Sequence, residues 1–356
     1  GRLRNAKESF EILEQSQEIA HRWQHHYDRL HLHTVKELSF LPHKPFPETY
    51  PTYVSRQQLV DYYEDYAKEF EIKPHFGKTV SRISKANGTY KVDCADGASW
   101  TADNIILASG INKDKYEPNF KNQEQYKGTI THSREYKNHH PYKDQSVLVI
   151  GMGNTGAELA LDLVEGGARP AIAVRGEISL VPRDVNGRPV QTTSKILAKI
   201  PFGLGDWVGA QIQKIIFGDL SKYGLRIRKE YPAAVLRETG KTPVIDIGTV
   251  KHIKNGNITV YPGIDRFTED GIQFTDGRSE KFDHIILATG YKANVLDLIP
   301  DLDRSDMDKY DLPRHLVWSG QWKGLYTIGF DNYSLGGILG TVYNDSEKVV
   351  DAIVSG

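Results

Sequence analysis

One cysteine in 356 residues, Cys94, has nothing to pair with, so a disulfide framework and a Cys-x-x-Cys redox couple are both excluded. A reducing, cytoplasmic setting is the expectation. Net charge is almost absent as well: 45 basic residues stand against 46 acidic ones, well mixed along the chain. That balance gives neither a nucleic acid nor a membrane surface an electrostatic footprint. The longest apolar runs, such as Ile285-Ile286-Leu287-Ala288, are far too short to cross a bilayer. Low-complexity tracts and repeat arrays are missing too. What remains is a chain long enough for two domains with proper cores.

The most informative stretch lies mid-chain. Ser146-Val147-Leu148-Val149-Ile150 reads as a buried strand, and Gly151-Met152-Gly153-Asn154-Thr155-Gly156 follows as a Gly-x-Gly-x-x-Gly turn opening a helix. Gly151 permits the tight turn, Gly153 lets a pyrophosphate approach the backbone, and Gly156 lets helix and strand pack closely. The helix N-terminus then offers N–H groups and a positive dipole end. Asn154 and Thr155 fall where side chains cap a helix, with a cofactor contact in addition. A second strand, Ala171–Val174, ends in Arg175. An acid at that position reads the ribose of NAD; an arginine instead suits the 2′-phosphate of NADP. A nucleotide site beginning mid-chain implies a second one built from the flanking sequence.

Two matched segments support that second site. Asn104-Ile105-Ile106-Leu107-Ala108-Ser109-Gly110 and His284-Ile285-Ile286-Leu287-Ala288-Thr289-Gly290 are both apolar strands ending in Ala-Ser/Thr-Gly. Each follows strand-like sequence with glycine turns, around Tyr90–Gly97 and Gly271–Gly277. A small residue and a glycine at a strand end let backbone meet cofactor, so Ser109, Gly110, Thr289 and Gly290 are candidate contacts. Phe10–Glu14 reads as a short buried strand ending in an acid, with Glu14 on an adenosine ribose. Its glycine turn should precede it by about 20 residues, and Gly1-Arg2-Leu3-Arg4-Asn5 holds no such turn. The expectation is that the first strand, the phosphate turn and most of the first helix are absent, leaving this chain with little bound FAD.

These motifs, with Tyr27-Asp28-Arg29-Leu30, Pro45-Phe46-Pro47-Glu48, Leu180-Val181-Pro182-Arg183, Gly240–Thr249 and Ala288-Thr289-Gly290-Tyr291, resemble the class B flavin-dependent monooxygenases, the YUCCA type in particular. Tyr126-Lys127-Gly128-Thr129-Ile130-Thr131-His132-Ser133-Arg134-Glu135-Tyr136 is similar to the fingerprint Phe-x-Gly-x-x-x-His-x-x-x-Tyr of that class, with tyrosine leading. The resemblance implies FAD and NADPH as cofactors, and O₂ and a small organic molecule as substrates. One oxygen atom is inserted through a flavin C4a-(hydro)peroxide, in oxidative decarboxylation of a 2-oxo acid or in N/S-oxygenation. It also implies His33 as the catalytic residue, replacing an asparagine beside the flavin, and cofactor contacts for Trp23, Arg29, Arg183 and Gly329. Trp23 reads equally as core, and Arg183 either as a second 2′-phosphate contact or as a solvated turn residue. His132 is expected to be a linker residue.

Other readings stay open. The histidines at 21, 25, 26, 31 and 33 are set aside as a metal site because no acidic ligand shares their spacing. Apolar residues from Thr192 to Asp219, among them Ile196, Leu197, Ile200, Val208, Ile212, Ile215 and Ile216, predict a packed helical hairpin, with Trp207 and Phe217 at a substrate entrance. Asp331–Gly337 departs from the pattern of the plant members. The fold expected is α/β: two doubly wound Rossmann-like dinucleotide-binding domains, FAD over 1–140 and 296–356, NADP over 141–295. The competing functions are a flavin-dependent NADPH oxidase or reductase, and an inactive NADP-binding remnant.

Overall fold

The computed structural model describes residues 1–356 apart from 198–199, 201–203, 332 and 335–336. Leu335 and Gly336 of the departing segment, and the side chain of Leu197, therefore lie outside the described residues.

Five parallel strands form the central sheet, in the order Thr259–Tyr261, Arg169–Ala173, Ser146–Ile150, His284–Leu287, Thr129–His132. Because side chains alternate across a strand, one apolar run feeds two cores. Val147, Val149, Ile172 and Ile286 enter the core under helix Asn154–Glu165, while Leu148, Ile150, Ala171 and Ile285 join Phe267 and Phe274 on the opposite face. The edge strand Thr129–His132 precedes residue 141, so this sheet recruits chain from the segment expected to belong to the FAD domain. A register matched residue for residue with His284–Leu287 holds it there.

The second unit has less parallel sheet. Among the described residues, Ile105–Leu107 pairs with Leu325–Thr327 alone. The expected strand Phe10–Glu14 is reduced to one bridge, Leu13 to His75, and its side chains are half-exposed or exposed. Pairing on a single side leaves it no second neighbour to bury it. A three-stranded antiparallel meander, Val80–Ala86, Thr89–Cys94, Ser99–Ala102, precedes Ile105–Leu107. An equivalent meander, Ile264–Phe267, Gly271–Phe274, Ser279–Lys281, precedes His284–Leu287. Helix Arg56–Glu69 starts on a capping box in which Ser55 and Gln58 satisfy each other's backbone, and it buries Leu59, Tyr62 and Tyr66. The two linkers between the units pair antiparallel, Tyr291–Lys292 on Asp114–Lys115. Among the described residues no helix is long and apolar enough to cross a membrane.

The hairpin forms as helices Val190–Leu197 and Leu204–Phe217, but it packs the other way round from its apolar pattern. Gly205, Gly209, Gln213 and Phe217 make the buried stripe of the second helix, and Trp207 and Ile215 are 61% and 82% exposed. The small glycines sit where neighbours come close: a Cβ on Gly209 would meet the Tyr231 ring at 2.2 Å. Steric fit therefore overrides the hydrophobic pattern.

Candidate functional site

The glycine turn closes as its residue types require. Gly151 has φ +106°, and a Cβ there would lie 2.6 Å from the Ala288 carbonyl oxygen. On Gly156 a Cβ would fall 2.0 Å from the Gly151 oxygen and 3.2 Å from the Ala288 methyl. The small Ala of the Ala-Thr-Gly strand end is thus matched to both glycines. Gly153 differs: among the described residues nothing lies within 4 Å of its Cβ position, and no side chain caps the helix it precedes. An open, uncapped N-terminus of a 12-residue helix fits a pyrophosphate. Asn154 does not cap it. Its Oδ1 accepts from the Ile245 N–H at 2.7 Å and its Nδ2 donates to the Pro243 carbonyl at 3.2 Å, stapling the helix to Val244–Asp246. Thr155, half-buried one residue on, makes no cap either.

Arg175 lies exposed two residues past the strand Arg169–Ala173, and among the described residues its guanidinium has no partner. Its carbonyl accepts from the guanidinium of Arg226 at 3.2 Å, which brings a second cation alongside. Nothing in the sequence near Arg226 announces this; the bridge between Ile178 and Ile227 carries it in. Arg183 lies elsewhere. Its Nε donates to Asp184 at 3.0 Å and its guanidinium covers the Tyr53 ring at 4.4 Å, so its charge is already engaged.

The flank of the same helix holds the other group of predicted residues. Glu158 is 2% exposed and accepts from the Tyr27 hydroxyl at 2.7 Å, with His33 Nε2 at 3.1 Å. One turn on, buried Asp162 accepts from the Tyr136 hydroxyl at 2.5 Å and approaches His139 Nδ1 at 3.2 Å. Arg29 spans the row: 2.8 Å from Glu165, 3.4 Å from Asp162 and 4.0 Å from Glu158. Its guanidinium braces the loop that carries it against the helix Asn154–Glu165. Burial, reinforced by Glu158, holds the Tyr27 phenol well above its ordinary pKa, so it stays a donor. Glu158 and Asp162 were missed as site residues, although two acids four apart within Gly156-Ala157-Glu158-Leu159-Ala160-Leu161-Asp162-Leu163 are legible as carboxylates facing a partner.

The fingerprint residues divide the work of the linkers. The Tyr126 hydroxyl donates to the Phe282 carbonyl at 2.7 Å, and Tyr136 ties to Asp162. His132, fully buried, meets the Gly290 carbonyl at 3.1 Å, and burial holds its pKa below the usual range. Thr289 donates to the Tyr116 carbonyl at 2.5 Å. Gly110, Gly290 and Gly329 all have positive φ, and the first two face open space. Ser109 is exposed beside Gly110. Trp23 packs against both the central core and the one around helix Arg56–Glu69. Glu14 accepts from the Ser16 N–H at 2.8 Å.

Among the histidines, the missing acid turns out to be Glu18. Its Oε1 lies 2.8 Å from both His21 Nδ1 and His25 Nε2, and these two hydrogen bonds hold its pKa below the usual carboxylate range. Of the proposed entrance residues, Trp207 faces solvent and Phe217 is buried in the core.

Residues 14–316 match the family model described as flavin-binding monooxygenase-like. The chain belongs to that family. It is 38% identical over 338 residues to indole-3-pyruvate monooxygenase YUCCA1 of Oryza sativa subsp. japonica, covering 93% of this chain and 82% of that protein. Against the probable indole-3-pyruvate monooxygenase YUCCA1 of Arabidopsis thaliana it is 37% identical, covering 96% and 83%. The fold matches a flavin-containing monooxygenase from Stenotrophomonas maltophilia with a TM-score of 0.73 at 20% identity, over 99% of this chain and 93% of that one. Cyclohexanone monooxygenase from Rhodococcus sp. Phi1, solved with NADP+, matches with a TM-score of 0.72 at 15% identity, over 96% and 79%. This flavin-binding monooxygenase thus has the two Rossmann-like domains expected.

Proposed function

We propose that the enzyme oxidatively decarboxylates a 2-oxo acid: the acid, O₂, NADPH and a proton give the carboxylic acid one carbon shorter, CO₂, water and NADP+. The carrying observation is that one helix, Asn154–Glu165, addresses both cofactors: its open N-terminus suits the NADPH pyrophosphate, and its flank grips His33 through Glu158. An identity of 38% to the rice indole-3-pyruvate monooxygenase, over an alignment covering 93% of this chain, supports this substrate class.

When bound, the flavin supplies hydride acceptance and oxygen activation. Gly153 and the helix amides would hold the pyrophosphate, and Arg175 with Arg226 would hold the 2′-phosphate. Glu158 holds the ring of His33 through Nε2, which would leave Nδ1 for the flavin and nicotinamide. Tyr27 shares the carboxylate and keeps the ring from turning. Glu14 takes the adenosine ribose, while Ser109, Gly110, Thr289, Gly290 and Gly329 let backbone approach the two cofactors. Trp23 would cover the ribityl chain with the part of its ring that the two cores leave accessible. The single buried cysteine suits a reducing, cytoplasmic setting.

Incubation of the FAD-supplemented enzyme with NADPH, indole-3-pyruvate and ¹⁸O₂ tests this. One labelled oxygen in the product acid, with one CO₂ per NADPH, is expected. Hydrogen peroxide in amounts matching NADPH, with no labelled acid, would instead make the enzyme an NADPH oxidase.

A further inference from the structure

Of the histidines at 21, 25, 26, 31 and 33, the fold gives the last three partners of their own. His26 Nδ1 accepts from the Tyr27 N–H at 3.1 Å, His31 Nδ1 donates to the Arg29 carbonyl at 2.8 Å, and His33 is held by Glu158. His21 and His25 remain. They stand four residues apart on one face of the helical turn His21–Gln24, with ring centroids 4.3 Å apart. Both turn a ring nitrogen toward the same oxygen: Glu18 Oε1 lies 2.8 Å from His21 Nδ1 and 2.8 Å from His25 Nε2. One ligand atom from each of the three residues falls within 4.8 Å of the other two. Among the described residues no other three acids, histidines or cysteines gather in this way.

The carboxylate reaches the rings because the chain doubles back. Ala20 is left-handed at φ +56°, an unfavourable backbone for a residue with a Cβ, and the Ser16 hydroxyl donates to the Glu18 carbonyl at 3.1 Å. No side chain caps the turn that follows. Side chains 36%, 40% and 56% exposed at Glu18, His21 and His25 gain little from pairing in water. A metal ion would hold them more firmly. With bonds of about 2.0–2.2 Å, neighbouring ligands of one ion stand about 3 Å apart, close to the spacing both histidines already keep from Glu18. Two imidazoles and one carboxylate suit zinc and its transition-metal neighbours, whereas magnesium and calcium prefer oxygen donors throughout.

We propose that Glu18, His21 and His25 bind one divalent transition-metal ion, and that this ion staples the turn that carries Trp23. Each imidazole binds through the nitrogen that faces Glu18, with its proton on the other ring nitrogen. Water completes the coordination on the exposed side. Trp23 lies between the two histidines in sequence, and it packs against two cores. Fixing His21 to His25 across it therefore holds the indole in place. The assignment stands apart from the monooxygenase reading above.

The test uses the full chain with FAD added and Zn²⁺ as the probe, its affinity read by competition with a chromophoric chelator. One Zn²⁺ per chain is expected, with a dissociation constant of about 10 µM or lower, unaffected by about 1 mM Mg²⁺. His21→Ala, His25→Ala and Glu18→Gln should each weaken binding about tenfold or more. His252→Ala, on helix Thr249–Lys254, should leave it unchanged. Glu18→Gln keeps the side chain's shape, so it reports on the ligand even where an alanine variant disturbs the turn. Zn²⁺ should also raise the Tm of the wild type and of His252→Ala, but not of the three cluster variants. Wild-type affinity in the cluster variants, an equal loss in His252→Ala, or no stoichiometric binding to the wild-type chain would overturn the proposal.

Discussion

Two strands of nearly identical sequence meet different surroundings in this molecule. His284–Leu287 lies inside a five-stranded sheet with neighbours on both sides, and its last three residues are buried. Ile105–Leu107 has one partner strand among the described residues, and of its own three only Leu107 is buried. Both follow an antiparallel meander, and both run into a glycine with positive φ facing open space. The local code is therefore the same: strand, small residue, glycine turn. What differs is the number of parallel neighbours, which determines how much apolar area each strand removes from water.

Truncating one side chain in each copy breaks the comparison most directly. Ile286 is 0% exposed, whereas Ile106 is half-buried. Ile286→Ala should cost about 4 kcal/mol and Ile106→Ala about 1 kcal/mol in urea unfolding. Equal losses would mean that the two sheets are equally packed.

The join between the units comes next. Glu158→Ala removes a buried acceptor from Tyr27 and His33 at once, for an expected loss of about 3 kcal/mol. Gln at this position keeps an acceptor and should recover about half of that. Similar losses for Ala and Gln would show that packing, not hydrogen bonding, makes the join.

A pH effect sharpens the picture on the FAD side. Burial lowers the pKa of His26 from 6.5 to about 4. The folded state therefore keeps the ring neutral, while the unfolded chain takes up a proton below pH 6.5. Stability is full above that pH and should fall by about 2–3 kcal/mol as pH drops toward 4. His26→Gln should flatten that part of the stability curve; an identical slope in the variant would assign the acid sensitivity to other groups.

The sheet unit was legible in the sequence because every local rule pointed one way. The apolar run, the three glycines and the Ala-Thr-Gly strand end each match a close contact, with Ala288 against Gly151 and Gly156. The matched meanders were equally readable. Asn154 was misread because the capping rule is local, whereas its partners at 243 and 245 come from a distant strand. The ion pairs of Arg29 were hidden in the same way: its carboxylates at 158, 162 and 165 lie on another element. The hairpin resisted for a steric reason. Hydrophobic spacing predicted its buried face, yet the close approach of Tyr231 selects glycine, and that turns Trp207 and Ile215 outward. Contacts made at large sequence separation carry no local signature, and the site depends on several of them.

The smallest expected effect bears on the central claim, that the glycine-turn unit is the NADPH site and that Arg175 reads the 2′-phosphate. Isothermal titration of NADPH and NADH into the wild type and Arg175→Ala measures it. A charge-assisted contact of about 1.5–3 kcal/mol predicts a loss of about tenfold or more in NADPH affinity, with NADH nearly unchanged. Equal losses for both nucleotides, or none for either, would contradict it.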